Sequence, residues 1–437
     1  MLPVEGQIVK PLKIGVAGLG TVGAEVVRLL TQQAELIATR AGRKLIVTAV
    51  SARDRHRDRG VSLTGLTWHD DAVALVHDPD VELVVELIGG SEGTAKEVAH
   101  AAIEAGKPLV TANKALLAMH GVALAKAAEA NGVAIAYEAA VAGGIPVIKA
   151  LREGLAANHV ARVAGIFNGT CNYILSTMRT QKRAFADVLA DAQRLGYAEA
   201  DPSFDIDGVD TAHKLAILAG VAFGARIDFN ALHIEGIRHV SALDIAFAQE
   251  LGYRIKLLGI AEQTPHGISL RVHPTMVAET QPITHVEDVF NAVLLEGDES
   301  GPVFLRGRGA GGKPTASAVV ADMIDLARGI SLPVWGRAEA SLSAACIVPM
   351  ADLVSAYFLR LSVVDQPGVL ADVTAILRDE GISLESMLQH GRKPGEAVPI
   401  VLVTHETHES AVTAALARIA ALPTVLETPA IIRIETQ

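Results

Sequence analysis

Apolar and polar positions follow two rhythms along the first 140 residues. Short runs that are almost wholly apolar, such as KIGVAGLG (13–20) and VELVVELIG (81–89), alternate with stretches such as AKEVAHAAIEAG (95–106), where apolar residues recur every three or four positions. The first pattern is typical of strands buried on both faces, and the second of amphipathic helices. Residues 1–140 are therefore predicted to form an α/β domain around a doubly wound parallel sheet.

The rhythm becomes irregular between about 145 and 345. Helices are predicted over IPVIKALREGL (145–155), AFADVLADAQRLG (184–196), HKLAILAGVAFG (213–224) and IAFAQELGYRIKLLGIA (245–261), with a strand at ISLRVHPTMV (268–277). We interpret this region as a mixed α+β substrate domain. The stretch around 332–353 is predicted to be a linker.

Residues 355–437 show a regular pattern again. Strand-like and helix-like segments follow in the order βαββαβ, which is the ferredoxin-like split unit. The segment contains few polar residues of the kind an active site needs, so a role in binding or assembly is predicted for it rather than chemistry.

Composition narrows the classes of partner and compartment. The net charge of −11 argues against nucleic-acid or anionic-membrane partners. The two cysteines, Cys171 and Cys346, form neither a disulfide framework nor a zinc spacing, which fits a reducing compartment. The N-terminus lacks the apolar core of a signal peptide, and uncharged runs are too short to cross a bilayer. A soluble, cytoplasmic protein is expected.

The turn GLGTVG (18–23) carries the first candidate site. It follows a predicted strand and opens a predicted helix, so Gly18, Gly20 and Gly23, with Thr21 and Val22 between them, fit the dinucleotide-binding fingerprint of a Rossmann fold. The glycines permit a tight turn and a close approach to pyrophosphate at the helix N-terminus.

The cofactor preference is predicted from the end of the second strand. AVSARD (49–54) carries Arg53 where an acidic residue would hold a ribose 2′-hydroxyl, and a guanidinium can accept a 2′-phosphate instead. This favours NADP, with NAD as the alternative. The same residues also fit a solvated mixed-charge loop, RDRHRDR (53–59).

A second lysine-bearing turn follows the strand PLVTAN (108–113). Lys114 lies at the carboxyl end of the predicted sheet, where open α/β folds bind ligands, next to Thr111 and Asn113. A ligand-binding role is predicted for Lys114, although a lone lysine at a strand end is also a common surface residue.

The most informative stretch is LGYAEADPSFDIDGVDTAHK (195–214), in which five carboxylates precede Lys214. Asp210 and Lys214 lie four residues apart and share one face of a predicted helix. A lysine facing several carboxylates indicates proton transfer on a small amino acid. The alternative is a solvated acidic loop that caps a helix and contains one surface ion pair.

Two further segments allow a chemical and a structural interpretation. EAAVAGGIPV (138–147) joins two domains; its carbonyls could surround a hard cation, but a domain-crossing hinge is the simpler interpretation. Cys171, between Asn168 and Asn172, could be a nucleophile, but no histidine lies close in sequence to activate it. A small buried cysteine is the more common case.

Together these motifs closely resemble those of homoserine dehydrogenases. The matching segments are GLGTVG, TANKALLA (111–118), EAAVAGGIPVI (138–148), FNGTCNYIL (167–175), the acidic run to Leu215 and RGRGAGGKPTASAVV (306–320), within residues 12–330. LSVVDQPGVLADVTAILRDEGI (361–382) resembles an ACT-type regulatory domain, with Asp365, Pro367 and Gly368 at its strand–helix turn. No kinase-like domain precedes the dinucleotide motif, as in the monofunctional form.

The resemblance implies the reversible NAD(P)H-dependent reduction of L-aspartate 4-semialdehyde to L-homoserine, in threonine and methionine biosynthesis. It implies that Lys214 is the acid/base, oriented by Asp210, and that Lys114 approaches the substrate from the cofactor side. Glu199 and Asp205 would bind the substrate ammonium. For Lys214 to act as a base near neutral pH, burial or Lys114 must lower its pKa, whereas the carboxylates raise it.

The resemblance also bears on the remaining segments. It implies a monovalent-cation site, Na⁺ or K⁺, at Glu138, Val141, Gly143 and Ile145, bound largely through main-chain carbonyls. The Gly-rich loop ending at Gly312 would pack against the cofactor, and 315–345 would complete the dinucleotide domain around an inserted substrate and dimerisation domain, 141–314. The ACT-type domain, 355–437, would bind an amino acid such as threonine as an effector, the alternative being an assembly module with no ligand. A homodimer or homotetramer is expected.

Two rival functions make different predictions. An acyl-phosphate-forming aldehyde dehydrogenase using Cys171 would require phosphate and would be inactivated by thiol alkylation. A non-catalytic amino-acid sensor would bind cofactor or threonine without turnover, and it would have no need to keep Lys114, Glu199, Asp210 and Lys214 together.

Overall fold

The computed structural model describes residues 10–391 and 394–435, and the chain divides into two compact units. Unit 1 comprises the described residues up to Phe167, together with His213–Asn230 and Phe290–Ala345. Unit 2 comprises Asn168–Ala212, Ala231–Val289 and the described residues from Cys346 onward. The predicted domain boundaries at 140, 314 and 355 stay predictions. None of the helices in the described residues is long and apolar enough to span a membrane.

The elements up to residue 167 are six parallel strands, their helices and one further strand. The strands are β1 (Leu12–Ala17), β2 (Leu45–Ser51), β3 (Thr67–His69), β4 (Leu83–Glu86), β5 (Leu109–Thr111), β6 (Ile135–Ala136) and β7 (Val160–Ile166). The helices are α1 (Thr21–Gln32), α2 (Ala34–Ala41), α3 (Ala72–His77), α4 (Thr94–Glu104), α5 (Lys114–Asn131) and α6 (Val147–Lys149), the last followed by a π-turn at Ala150–Gly154.

The elements from 168 to 345 alternate between the units. The helices are α7 (Gly169–Gln181), α8 (Phe185–Arg194), α9 (Ser203–Ile206), α10 (Val209–Phe223), α11 (Ala242–Glu250) and α12 (Gly312–Ala327). The strands are β8 (Ala225–Arg226), β9 (His233–Ile234), β10 (Tyr253–Thr264), β11 (Gly267–Ala278), β12 (Phe290–Gly297), β13 (Gly301–Arg308) and β14 (Ser343–Ala344).

The C-terminal elements are β15 (Val354–Val364), α13 (Val369–Asp379), β16 (Leu384–Gln389), β17 (Ala397–Thr404), β18 (Thr407–His408), α14 (Glu409–Ala420) and β19 (Ala430–Glu435). Single 3₁₀ turns lie at Glu138–Ala140, Phe229–Ala231, Pro282–His285, Glu339–Ser341 and Met350–Asp352.

Unit 1 contains the predicted doubly wound sheet. Its strand order is β3-β2-β1-β4-β5-β6, and every pair is parallel. This is the 3-2-1-4-5-6 order of a Rossmann fold, which binds dinucleotides at the carboxyl ends of its central strands. The core on one face joins apolar residues of β1 and α1 to those of α12, including Ile14, Val26 and Val319. The predicted fold class is confirmed.

Unit 1 also contains an antiparallel group that the sequence patterns did not predict. β12 pairs with β13 on one side and with β7 on the other. β13 alternates half-buried and exposed residues, whereas β7 is almost wholly buried, so the two strands carry different sequence patterns. β7 and β12 have the short apolar runs that periodicity alone cannot assign to strand or helix.

Unit 2 contains the predicted βαββαβ module, and the ferredoxin-like prediction for it is confirmed. Within unit 2 the strands follow the order β10-β11-β19-β15-β17-β16. β10 and β11 form a long antiparallel hairpin, and β11 pairs in parallel with β19, Thr275 lying opposite Arg433. The C-terminal module and the hairpin therefore share one hydrogen-bonded sheet.

Two predictions made from the sequence were wrong: the helix over 245–261 and the linker at 332–353. The helix predicted over 245–261 ends at Glu250, and the chain turns at Gly252, whose φ is +81°, before β10 begins. The run after Gly252 is a buried strand whose apolar residues resemble a helix continuation. The supposed linker at 332–353 contains Val334 and Trp335, which are buried in unit 1 because the indole packs against Gly121 and Gly220.

Candidate active site

The glycine turn after β1 has the backbone geometry that the motif predicts. Gly18 has φ +102°, and a Cβ there would lie 2.6 Å from the Leu87 carbonyl. A Cβ on Gly23 would lie 2.0 Å from the Gly18 oxygen, so α1 can approach the turn only if residue 23 is glycine. Gly20, just before Thr21 opens α1, faces open space. A ligand can therefore reach the helix N-terminus at Gly20.

A cavity of about 590 Å³ lies over this turn within unit 1. Its wall includes Gly18, Gly20 and three arginines of the loop after β2, Arg53, Arg57 and Arg59. Arg59 connects this loop to the glycine turn. Its Nε donates to the Leu19 carbonyl at 3.1 Å, and its Nη1 donates to the Arg57 carbonyl at 2.7 Å. Residues 53–58 are exposed, and Asp54 lines the same wall, so the loop keeps the mixed charge of its sequence while it places three arginines at the cavity.

A second cavity of about 290 Å³ brings the two predicted lysines together, also within unit 1. Lys114 and Lys214 both line it, along with Val22, Gly143 and Gly311. The two cavities share the wall formed by Leu87, Ile88 and Gly89. A ligand large enough to occupy both would therefore run from the arginine loop to the lysines.

Each lysine is positioned by a regular element. Lys114 is the first residue of α5, whose N-cap is Asn113. Lys214 lies on α10 and is 7% exposed, and its Nζ donates to the Phe167 carbonyl at 2.6 Å. A backbone carbonyl can accept from either a charged or a neutral amine, so this bond orients Lys214 without fixing its protonation state.

The acidic run is organised by a residue that the motif analysis did not select for a role. Nδ2 of Asn168 donates to Asp205 Oδ1 and to Asp210 Oδ2, each at 2.8 Å. Asp210 is buried on α10, four residues before Lys214, whereas Asp205 is half-buried and Glu199 is exposed. Asn168 also caps α7, because its Oδ1 accepts from the Cys171 amide at 2.8 Å.

Thr111 and Gly312 occupy supporting positions. Thr111 is 1% exposed, and its hydroxyl donates to Glu86 at 2.6 Å. A Cβ on Gly312 would lie 2.9 Å from Glu25 and 3.1 Å from the Thr21 carbonyl, so Gly312 allows α12 to approach α1 closely. Their predicted contacts with the cofactor stay predictions.

The predicted cation segment is a buried turn whose side-chain carboxylate is already bonded. Glu138, Val141, Gly143 and Ile145 are all buried. The two carboxylate oxygens of Glu138 accept from the amides of Ile148 and Lys149, at 2.9 and 2.8 Å. Among the described residues there is no group of three or more His, Cys, Asp or Glu side chains arranged to hold a metal. The predicted cation site, which would use largely main-chain carbonyls, stays a prediction.

The side chain of Glu138 belongs to a buried charge group in unit 1. Burial raises the pKa of Glu138 to about 7 and that of Asp322 to about 6, and Lys149 partly opposes both shifts. Lys149 bridges Asp322 and Asp325, and the Glu138 amide donates to Asp322. These bonds link the segment after β6 to α12.

Cys171 has the geometry of a structural residue. It is fully buried, and its thiol donates to the Asp205 carbonyl at 3.2 Å. A nucleophilic cysteine needs partial exposure and a positive environment. The structure gives the cysteine hypothesis no support.

Three family models match successive parts of the chain. They are the homoserine dehydrogenase NAD-binding domain over 18–138, homoserine dehydrogenase over 146–324 and the ACT domain over 357–423. A homoserine dehydrogenase of Neisseria gonorrhoeae is 46% identical over 433 residues, covering 98% of this chain and 99% of the relative.

Solved structures agree with the family models. The crystal structure of a homoserine dehydrogenase from Thiobacillus denitrificans has a TM-score of 0.92 and 48% identity, covering 98% of both chains. A hyperthermophilic archaeal homoserine dehydrogenase in complex with NADPH has a TM-score of 0.63 and 25% identity, covering 72% of this chain and 97% of that one. The chain therefore belongs to the homoserine dehydrogenase family of NAD(P)-dependent oxidoreductases and carries a C-terminal ACT domain.

Proposed function

We propose that the protein catalyses the reversible reduction of L-aspartate 4-semialdehyde to L-homoserine, with Lys214 as the acid/base. The observation that carries this proposal is the second cavity, which both Lys114 and Lys214 line and which shares a wall with the cavity over the glycine turn. The family shows the enzyme class. The residue roles and the direction of the reaction are our proposals.

The chemistry requires one hydride and one proton. When bound, the reduced nicotinamide supplies the hydride to the terminal aldehyde carbon. The carbonyl oxygen then gains electron density, and Lys214 gives it a proton in the reductive direction or removes one in the reverse direction. The Phe167 carbonyl holds Nζ in place for this transfer. Lys114, at the N-terminus of α5, adds a second positive charge that stabilises the developing alkoxide.

We propose that carboxylates of the acidic run bind the substrate ammonium. Asp205 is half-buried, and its Oδ1 accepts from Asn168, which positions the carboxylate for this role. Glu199 is exposed and would complete the ammonium site from the loop. Asp210, held by the same Asn168 amide, would orient Lys214 along α10. A cationic substrate group explains why acidic side chains outnumber basic ones in this segment.

We propose NADP as the preferred cofactor and NAD as the alternative. Arg53 lines the larger cavity, where a guanidinium would pair with a 2′-phosphate that NAD lacks. Arg53→Ala is therefore expected to raise the KM for NADP about tenfold, the loss of one charge-assisted bond, with little change for NAD. The check is steady-state kinetics with both cofactors.

Arg55→Ala is the matched control for Arg53→Ala. Arg55 lies in the same loop and stacks over Trp68. Because it is also an arginine, its replacement changes the charge of the loop by the same amount as Arg53→Ala. The control is expected to leave the NADP-to-NAD ratio of KM values near that of the wild type. An equal effect of Arg53→Ala on both cofactors would remove the 2′-phosphate role.

We propose that a monovalent cation, Na⁺ or K⁺, binds main-chain carbonyls of Glu138, Val141, Gly143 and Ile145. The support is the buried turn and the weak internal bond at its start, where the Val141 amide lies 3.5 Å from the Glu138 oxygen. Because a ligand that binds only the folded state stabilises it, the melting temperature is expected to be higher in KCl or NaCl than in tetramethylammonium chloride. Equal melting temperatures at matched ionic strength would argue against the site.

We propose that the protein acts in the cytoplasm, in threonine and methionine biosynthesis, as a homodimer or homotetramer. The ACT domain indicates an amino-acid effector, for which threonine is the candidate. The test of the proposed function is nicotinamide absorbance when purified protein meets L-homoserine with NADP or NAD, with and without threonine. Turnover without added phosphate supports the proposal. Absence of turnover with either cofactor would overturn it.

A further inference from the structure

The carboxyl end of β4 carries a charged residue that is completely buried. Glu86 is 0% exposed and lies within the apolar run VELVVELIG. A carboxylate is almost never buried to this degree unless it is paired or hydrogen-bonded. Glu86 has no part in the chemistry proposed above.

Glu86 holds the loop that follows it. Its Oε1 accepts from the Ile88 amide at 2.7 Å and from the Gly89 amide at 3.1 Å. Gly89 and Gly90 have φ of +87° and +86°, so the chain reverses sharply here and points these amides back at β4. The loop conformation therefore depends on an acceptor at this position.

The other carboxylate oxygen holds the neighbouring strand and helix. Oε2 accepts from the Thr111 hydroxyl at 2.6 Å, and Thr111 Oγ1 accepts in turn from the Asn113 amide at 3.0 Å. Asn113 donates to the Gly90 carbonyl at 2.7 Å and caps α5 by accepting from the Leu116 amide at 3.1 Å. The bonds thus form a closed circuit from β4 to β5, α5 and back to the loop.

The loop and the helix N-terminus that this circuit positions both lie at the candidate active site. Leu87, Ile88 and Gly89 form the wall shared by the two cavities, and Lys114, which follows Asn113, lines the smaller one. One carboxylate therefore sets the position of the wall and, through Thr111, the N-terminus of the helix that begins at Lys114.

We propose that Glu86, in its ionised form, is a positioning residue that aligns the bound dinucleotide with Lys114. Glu86 is 0% exposed and its oxygens accept from protein groups, so it would act through the loop and Thr111 rather than by touching a ligand. The cofactor part of this inference rests on the family membership, whereas the Lys114 part rests on the proposed function. Burial raises the pKa of Glu86, and the bonds from Thr111, Gly89 and Ile88 partly oppose that rise. The ionised form fits the geometry, because both carboxylate oxygens accept hydrogen bonds from the protein.

Three variants separate the two branches of the circuit. Glu86→Ala removes both, whereas Glu86→Gln retains the acceptor for the loop amides and disturbs only the Thr111 side. Thr111→Val disturbs the same side from the other partner. Glu86→Ala is expected to weaken NADPH binding about tenfold, and all three to lower kcat about tenfold, the loss expected for a bond to a charged group.

The decisive measurement is whether the Glu86→Gln and Thr111→Val effects on kcat add. Both variants break the same bond, the one between Glu86 and Thr111. The double variant is therefore expected to lose about as much kcat as either single variant, rather than the product of the two losses. Thr111→Val differs from the wild type by a single hydroxyl, so it provides the test if Glu86→Ala does not fold. NADPH binding, followed by nicotinamide fluorescence, gives an answer even if the wild type shows no turnover with homoserine.

Asp244→Asn is the control for the loss of a buried carboxylate elsewhere. Asp244 is also 0% exposed, and it bonds Ser241 and Arg360 within unit 2. This control is expected to lower the melting temperature while NADPH affinity and kcat per folded molecule stay near the wild-type values. Multiplying losses in the double variant, or NADPH affinity unchanged in folded Glu86→Ala, would overturn the proposal.

Discussion

Lys214→Met is expected to lower kcat by about 10²- to 10⁴-fold, the contribution of a well-placed acid/base, while the protein still binds NADPH. Methionine keeps most of the length and the apolar stem of lysine but cannot carry a proton. Lys214 is 7% exposed and bonded to the Phe167 carbonyl, so bulk water is a poor substitute for its Nζ. The measurements are steady-state kinetics with L-homoserine and a fluorescence titration with NADPH.

Lys256→Met provides the comparison for a buried lysine outside both cavity walls. Lys256 is 2% exposed and donates to Asn172 Oδ1 at 3.0 Å and to the Val286 carbonyl at 2.7 Å, all in unit 2. Burial lowers its pKa to about 8, with Glu287 opposing the shift. Its replacement is expected to cost stability rather than turnover per folded molecule. A kcat for Lys214→Met close to that of the wild type would exclude Lys214 from the mechanism.

Arg433→Met is expected to destabilise unit 2 by about 3 to 5 kcal/mol, the cost of removing one partner from a buried ion pair. Arg433 is 5% exposed and forms two bonds with Glu409 and a third, of 2.7 Å, with Glu235. Burial opposes the ionisation of Glu235, but His233 and Arg433 outweigh it and hold its pKa at about 2. Without the guanidinium, the buried Glu409 carboxylate and the half-buried Glu235 carboxylate lose their counter-ion. The measurement is urea unfolding at pH 7.

Two further variants and a pH series test whether the stability loss in Arg433→Met is caused by the unpaired charges. Arg378→Met removes an arginine whose side chain is 77% exposed, so a change of at most about 1 kcal/mol is expected. Adding Glu235→Gln and Glu409→Gln to Arg433→Met should restore much of the loss, because no unpaired charge remains. The Glu235 pKa is lower in the folded state, so its contribution is complete above about pH 4.5 and is lost as pH falls through about 2. Arg433→Met should show less of this acid sensitivity, because Arg433 lowers the Glu235 pKa together with His233.

The sequence predicted those parts of the fold where one local pattern has one structural solution. The GLGTVG turn needs glycine at 18 and 23 because backbone atoms lie within 3 Å of where a Cβ would be, and such constraints are visible in a motif. The 245–261 helix failed because the apolar residues of β10 continue the helical period of α11, and only the turn at Gly252 separates them. Trp335 was assigned to a linker because its partners are glycines far away in sequence.

The candidate site was predicted less completely than the fold. Lys114 and Lys214 were each selected from their own segments, but that they line one cavity follows from the tertiary fold. Glu86 and the bridging role of Asn168 were missed because their importance lies in bonds to residues distant in sequence, such as Thr111 and Asp210. The only sign of Glu86 in the sequence is a carboxylate inside an otherwise apolar strand.

The parallel pairing of β19 with β11 has a consequence for synthesis of the protein. β19 lies between β11 and β15 in the sheet of unit 2, yet it is translated long after Ala278, where β11 ends. β9 already pairs with that edge of β11 at Arg271 and Val272, but until Ala430–Glu435 leaves the ribosome the stretch Thr275–Val277 lacks the strand that it pairs with. At about 5 to 20 residues per second, that edge stays open for many seconds on the nascent chain. A stalled ribosome or a stop codon within the C-terminal module would therefore release a chain with an unpaired strand edge, the kind of surface that aggregates or attracts chaperones.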